Sequence, residues 1–143
     1  VTGLYLQVAG GTTTVVGWGR EADETTIEDL DDIDDFNSLT FGEGGAFDGP
    51  INAFGEIIPQ TDATGAIVTN SLGQAVPLRG WRQKVQVTKV SASNFLTARD
   101  AGYTESGYAV DKYPLRVTVI VEYKGPTDSS WSEVCRVVWV VPK

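Results

Sequence analysis

Apolar and polar residues alternate along two segments in the C-terminal half of the chain. The segments span residues 84–90 and 115–123, and apolar side chains recur there at about every second position. A period of two is typical of a β-strand that buries one face. Residues 125–130 then give a turn signal, and residues 131–141 predict a third strand. The pattern therefore predicts an antiparallel β-meander.

The third predicted strand is apolar at consecutive positions in its second half, from Val137 to Val141. A strand with two apolar faces is typically central in its sheet or covered on both sides, and we expect that arrangement here. Cys135, the only cysteine of the chain, lies in the same strand. Its apolar neighbours favour a small hydrophobic residue of the core over a reactive thiol.

The N-terminal half gives weaker signals. Residues 12–16 are β-prone, whereas residues 4–8 fit either a strand or the last turns of a helix. Residues 40–80 are rich in glycine and predict short strands and long loops that wrap over the sheet, with no internal repeat. A length of 143 residues suits one core. We therefore expect residues 1–143 to form a single, soluble, mainly β domain.

Composition narrows the classes of function. The net charge of −8 is unevenly placed, with thirteen acidic and one basic residue in residues 1–70 but six acidic and ten basic in residues 71–143. An acidic chain without a basic, aromatic-rich patch is a poor match for nucleic acid. The chain has no histidine, which excludes imidazole catalysis and histidine-bound metals. We therefore expect no enzyme activity and no catalytic residues.

An acidic run between Glu28 and Asn37 is the sharpest local feature, with six carboxylates and one amide oxygen in ten residues. Its apolar residues Leu30, Ile33 and Phe36 recur every third position, so that a helical or 3₁₀ turn buries them while the carboxylates face solvent. One interpretation is therefore a solvated, anchored loop. The other is a calcium site, because a hard cation relieves the repulsion between close carboxylates. Its candidate ligands are Asp31, Asp32, Asp34 and Asp35.

Several motifs, taken in order, resemble a known family. Residues 31–36 (DDIDDF) follow Gly17-Trp18-Gly19 and are similar to the acidic signature of type IV prepilin-like proteins, especially minor pilins and pseudopilins of the MSHA-biogenesis type. Residues 80–87 and 113–121 resemble two strands that follow in that family, and the similarity covers residues 17–141. The signature residues are Trp18, Asp31, Asp32, Asp34, Asp35, Phe36, Gly80 and Trp81.

The resemblance implies a structural function. Members of the family have a long apolar N-terminal helix that anchors the subunit in the inner membrane and later packs into a filament core. A β-rich, pilin-like head follows, and the resemblance identifies this chain with that head, so that the missing helix makes the whole protein α+β. We therefore expect a minor subunit of a type IV pilus or a type II secretion pseudopilus. It acts in filament assembly or priming through other pilin or pseudopilin subunits, with its head on the periplasmic or extracellular side of the bacterial cell envelope.

Two other classes fit the composition less closely. An extracellular carbohydrate-binding or adhesive β-sandwich module requires exposed, coplanar aromatic rings. We expect instead that the four tryptophans are packing residues of the core or its margin: Trp18, Trp81, Trp131 and Trp139. A viral or phage structural β-domain shares the acidic, glycine-rich composition.

If the chain is a pilin-like head, its uneven charge favours pairing between acidic and basic surfaces of neighbouring heads.

Overall fold

The computed structural model describes residues 6–9, 12–15 and 17–142. The first two strands, β1 (Leu6–Ala9) and β2 (Thr12–Val15), form an antiparallel hairpin in which Leu6 lies opposite Val15. This hairpin confirms the strand predicted from residue 12. Residues 4–8 were expected to form either a strand or the end of a helix. Residues 6–8 lie in strand β1, while Leu4 and Tyr5 lie outside the described residues.

The main element is a four-stranded antiparallel sheet in the order β3-β4-β5-β6. Its strands are β3 (Thr40–Gly42), β4 (Trp81–Lys89), β5 (Leu115–Tyr123) and β6 (Ser132–Val141). Strands β4, β5 and β6 are the three that alternation and turn signals predicted, and they neighbour one another in chain order. The prediction of a mainly β meander is therefore confirmed. Among the described residues, no helix is long and apolar enough to cross a membrane.

Strand β6 lies at the edge of this sheet, so the prediction of a central or doubly covered strand is wrong. Val137, Val138 and Trp139 are 52%, 52% and 45% exposed. Cys135 is also exposed, which corrects its assignment to the core. The apolar pattern was correct for a strand, but a pattern along the chain does not state whether a neighbouring element covers it.

The described chain divides into two compact units. The first contains the β1–β2 hairpin and residues 17–38, 85–118 and 137–142, and the second contains residues 39–84 and 119–136. The buried apolar residues of the first unit are Leu30, Val87, Val90, Val110, Tyr113, Leu115 and Val117. In the second unit Phe41, 1% exposed, stacks on Phe47 with ring centroids 5.2 Å apart.

The first unit also buries the charged side chain of a lysine. Lys89, at the end of β4, is 1% exposed, and its Nζ donates to the carbonyl oxygens of Ala101 (2.9 Å) and Tyr103 (2.5 Å). The same ammonium lies 4.6 Å from the ring centroid of Tyr113. These contacts satisfy the buried charge and connect the loop around residue 102 to the sheet.

Three short hairpins follow one another in the second unit, between residues 50 and 76. Each opens with an Asx residue whose side-chain Oδ1 accepts hydrogen bonds from the amides two and four residues later, over 2.8 to 3.1 Å. Each places a glycine three residues after the Asx, with φ between 77° and 85°, a conformation that costs glycine little. The pairs are Asn52 with Gly55, Asp62 with Gly65, and Asn70 with Gly73.

These hairpins form a repeat, [Asn/Asp]-x-x-Gly, so the prediction of a chain without an internal repeat is wrong. The second and third hairpins branch from a stem in which Pro59 pairs with Pro77. Three backbone hydrogen bonds close a ring at the branch point, from Val68 to Gln60 (2.9 Å), from Val76 to Val68 (2.9 Å) and from Gln60 to Val76 (2.7 Å). The segment is therefore a three-way junction of antiparallel pairs.

Candidate functional site

The acidic run forms two 3₁₀ turns, Ile27–Asp29 and Asp34–Phe36, with Leu30 buried between them. The run begins with a side-chain cap, because Asp29 Oδ2 accepts hydrogen bonds from the amides of Thr25 (2.8 Å) and Thr26 (2.7 Å). The hydrogen bonds from Thr26 and Thr25 hold the pKa of Asp29 below its usual value. The structure therefore has two separate 3₁₀ turns where the spacing of Leu30, Ile33 and Phe36 predicted one helical or 3₁₀ turn.

Two carboxylates of the run are buried, contrary to the expectation that they face solvent. Asp34 is 0% and Asp35 is 1% exposed, while Ile33 and Phe36 are only half-buried. The amide of Gly19 donates to Asp34 Oδ2 over 3.3 Å, but Asp34 Oδ1 has no hydrogen-bond partner among the described residues. Burial raises the pKa of Asp34 to about 6. A period of three places apolar residues on one side of a turn, but it does not keep the acidic residues out of the interior.

Asp35 joins a cluster with two glutamates from the preceding loop. Glu21, Glu24 and Asp35 each bring a carboxylate oxygen to a position within 4.8 Å of the other two. Glu24 is 9% exposed, and burial raises its pKa and also raises the pKa of Asp35 to about 6. Backbone amides fix two of the three groups, because the Glu21 amide donates to Glu24 Oε2 (2.7 Å) and the Asp32 amide donates to Asp35 Oδ2 (2.6 Å).

The four aspartates predicted as calcium ligands do not converge on one point. Asp31 is exposed, Asp32 is half-buried and Asp34 turns one oxygen to Gly19. Within the described residues, Asp35 is the member of the four that enters the three-carboxylate cluster. Sequence reasoning missed Glu21 and Glu24, which lie before the acidic run. Their spacing of three residues, shortly after Gly17-Trp18-Gly19, does not by itself indicate that they approach Asp35.

The acidic run is connected to the sheet by its last residue. Asn37 Oδ1 accepts a hydrogen bond from the amide of Val87, in β4, over 3.0 Å. The signature residue Trp18 is half-buried and directly precedes Gly19, the donor to Asp34. The acidic signature and its Gly-Trp-Gly neighbour therefore build one local structure in the first unit.

The second signature pair, Gly80 and Trp81, opens β4 in the second unit. Gly80 has φ +75°, and a side chain there would lie 2.9 Å from the carbonyl oxygen of Lys124. The ring of Trp81 lies 4.8 Å from that of Tyr123 at an interplanar angle of 46°. Gly80 therefore provides space for the close approach of the backbone at Lys124, and Trp81 packs on Tyr123. Both signature residues have structural functions here.

Three of the four tryptophans and the glycine-rich stretch at residues 42–45 have packing functions. Trp18, Trp81 and Trp131 are half-buried as expected, whereas Trp139 is 45% exposed. The glycine-rich stretch at residues 42–45 follows β3 as a tight turn, since a Cβ on Gly45 would lie 2.2 Å from the carbonyl oxygen of Thr40. Close backbone approach accounts for that glycine.

An open depression of about 460 Å³ lies in the second unit. Its lining combines opposite charges with one aromatic wall: Glu43, Gln60, Arg79, Gly80, Tyr123, Lys124, Gly125 and Pro126. Arg79 is already paired with Asp48 through two hydrogen bonds, and this pairing holds the pKa of Asp48 below its usual value. Because the Arg79 guanidinium already binds Asp48, it is less available to a ligand in the depression.

Comparison with known protein families, with curated proteins and with solved structures finds no match to this chain.

Proposed function

We propose that this chain is the β-rich head of a type IV pilin-like minor subunit, a pilin or pseudopilin that acts in filament assembly or priming. Its function is structural and is exerted through contacts between heads. The ordered motifs around Trp18, the acidic run and Gly80-Trp81 favour this family. The proposal places the head in the bacterial cell envelope, on the periplasmic or extracellular side of the inner membrane.

The exposed edge strand β6 is the observation that carries the proposal. It presents Val134, Val137, Val138 and Trp139 with 45% to 55% of each residue exposed. An exposed, apolar edge strand is unfavourable in an isolated protein because it invites pairing with another chain. Covering each half-exposed side chain stabilises a complex by about 1 kcal/mol. A subunit whose work is to contact other subunits has a use for this strand.

Charge supports the same proposal. The exposed acidic residues near the 3₁₀ turns are Asp23, Glu28, Asp29 and Asp31. Asp34 and Asp35 are buried and take no part in such a surface. The exposed set, rather than the whole acidic run, is therefore the surface that pairs with basic groups of a neighbouring subunit.

The reading frame upstream of the Val1 codon tests the assignment to the family. We expect a short basic leader, a cleavage-site glycine and about 20 apolar residues. An ordinary secretion signal, or another folded domain in that position, would contradict the proposal. This test concerns the family and is independent of how β6 is used.

A matched pair of variants tests the use of β6 in the source bacterium. Val138→Lys places a charge on β6, and Ile67→Lys places the same charge on a hairpin arm at a similar exposure, 52% against 56%. We expect Val138→Lys to lower the number of assembled filaments at least tenfold and Ile67→Lys to leave it unchanged. Equal filament numbers in both variants and the wild type would exclude β6 as the contact.

A further inference from the structure

We propose that the open depression of the second unit binds one neutral pyranose ring, such as the end of a glycan. Tyr123 is the surface on which the sugar stacks, and Lys124 and Glu43 contact its hydroxyls. The volume of about 460 Å³ lies within the range of about 300–1,000 Å³ that is typical of small-molecule sites. The inference does not depend on filament assembly, because the site lies within one unit of one chain.

Tyr123 supplies an aromatic surface that is already held in place. It is 37% exposed, and its ring centroid lies 4.8 Å from that of Trp81. A Cβ at Gly80 would lie 3.5 Å from Tyr123 Cε2, and a Cβ at Gly125 would lie 3.6 Å from Tyr123 Oη. Because both residues are glycines, no side chain covers the ring from these two positions. The face of an aromatic ring is negative and attracts the weakly positive C–H groups on the face of a pyranose.

The arrangement of the two rings limits the ligand to one sugar. Trp81 is half-buried and is not part of the lining of the depression, so Tyr123 is the aromatic wall. The planes of the two rings differ by 46°, whereas a strip that holds several residues of a polysaccharide requires coplanar, exposed rings. The end of a chain therefore fits this site better than its middle.

Opposite charges in the lining favour a ligand with hydroxyl groups. Lys124 and Glu43 both line the depression, and neither belongs to an ion pair of the described residues. A hydroxyl both donates and accepts hydrogen bonds, so the hydroxyls of one sugar use the ammonium and the carboxylate together. An anionic ligand is repelled by Glu43 and a cationic ligand by Lys124. A neutral polyhydroxylated ring has neither disadvantage.

Main-chain hydrogen bonds hold the frame of the site before a ligand arrives. The Lys124 amide donates to the carbonyl oxygen of Gly80 over 2.9 Å, and the Gly125 amide donates to Asp128 Oδ2 over 2.8 Å. Binding therefore orders mainly the side chains of Lys124 and Glu43. One stacked ring and a few hydrogen bonds give a dissociation constant of about 1–10 mM.

NMR of the isotope-labelled chain tests the proposal through amide chemical shifts. The probes are methyl β-D-glucopyranoside, methyl β-D-galactopyranoside and methyl α-D-mannopyranoside, each added to about 50 mM. Sorbitol at the same concentration is the control ligand, since it has the hydroxyls but no ring. The variants are Tyr123→Ala, Lys124→Gln and Glu43→Gln. The control variant is Tyr108→Ala, which removes a tyrosine of similar exposure, 45% against 37%, from the first unit.

We expect at least one glycoside to shift the amide signals of Gly80, Lys124 and Gly125 saturably, and sorbitol to leave them unchanged. Tyr123→Ala is expected to lower the affinity about tenfold, and each of the two charge variants about threefold. Tyr108→Ala should bind like the wild type. If Tyr123→Ala fails to fold because it loses its packing on Trp81, the variants of Lys124 and Glu43 decide the question.

Three results would overturn the proposal. The first is the absence of a saturable shift with every glycoside, or shifts that sorbitol reproduces. The second is an affinity that all the site variants that fold retain in full, since the sugar would then lie elsewhere. The third is sodium phosphate that binds at these amides more tightly than any glycoside, which would identify an anion site.

Discussion

Asn37 accepts a hydrogen bond from the amide of Val87 over 3.0 Å and thereby joins the end of the acidic run to the middle of β4, fifty residues later in the chain. An amide side chain is suited to this position, because it supplies an acceptor without adding another charge beside Asp34 and Asp35. The contact shows that the acidic run is part of the first unit and not a loop attached to it.

Removal of this hydrogen bond is expected to destabilise the protein. Asn37→Ala leaves the partly buried Val87 amide without its partner and is expected to lower the free energy of unfolding by about 1–3 kcal/mol. The control is Asn94→Ala, which removes an exposed cap of a local turn and costs about 0.5 kcal/mol. Urea denaturation measures both, and equal losses would show that the contact is not structural.

The hairpin repeat depends on backbone conformation at its glycines. Gly73 has φ +77° and no atom within 4 Å of the position of a Cβ, whereas Gly102 has the same free space without that conformation. We expect Gly73→Ala to cost about 1 kcal/mol and Gly102→Ala to be nearly neutral. Because sterics are equal at the two sites, a difference in denaturation midpoint reports the backbone alone. No difference would contradict the turn geometry.

Cys135 is exposed and is expected to react with a water-soluble disulfide reagent in the folded protein. The rate should lie within about tenfold of the rate in denaturant, because the fold does not shield the thiol. Absorbance of the released thiolate measures this. A thiol that reacts only after unfolding would return Cys135 to the core and contradict the exposure of β6.

Lys89 is expected to make the stability of the protein depend on pH in the alkaline range. Burial lowers the pKa of its ammonium from 10.5 to about 8, against the opposing effect of Asp111. Between those two values the unfolded chain binds more protons than the folded one, so the contribution of Lys89 to stability rises with pH. At pH 7 the charged form is buried at a cost.

The variant Lys89→Met removes this titration. It removes the hydrogen bonds to Ala101 and Tyr103 and also the cost of burying the charge, so its effect at any one pH combines two opposing contributions. The informative quantity is the change with pH: between pH 7.5 and pH 10 the stability difference should widen in favour of the wild type by roughly 1–2 kcal/mol. Parallel stability curves would show that the Lys89 pKa is not lowered.

Local patterns predicted the sheet well because its signal is local. Alternation over β4 and β5 reports one buried face, and the turn at residues 125–130 reports the reversal before β6. The position of β6 at the edge was not predictable in this way. A strand apolar on both faces requires cover in principle, but the sequence does not record whether that cover belongs to the same chain.

The acidic site was predicted in part for the same reason. The spacing of Leu30, Ile33 and Phe36 indicated a turn in this region, of which the second 3₁₀ turn contains Phe36, and the density of carboxylates marked the region. The convergence of Glu21 and Glu24 on Asp35 depends on a chain reversal between residues 24 and 35 that no short pattern encodes. The hairpin repeat was missed because its copies are ten and eight residues apart, so no single period describes it.

The three-way junction divides this segment of the second unit into a hydrogen-bonded branch point and exposed hairpin tips. Its closed ring uses only main-chain groups of Gln60, Val68 and Val76, so the ring places no demand on side-chain identity. The tip of the third hairpin carries Leu72, which is 80% exposed. Replacement of an exposed tip side chain such as Leu72 is therefore expected to cost little stability, whereas Asn70 and Gly73 are constrained by the turn. The side chains that the tips present can change while the branch point and the turn residues stay fixed.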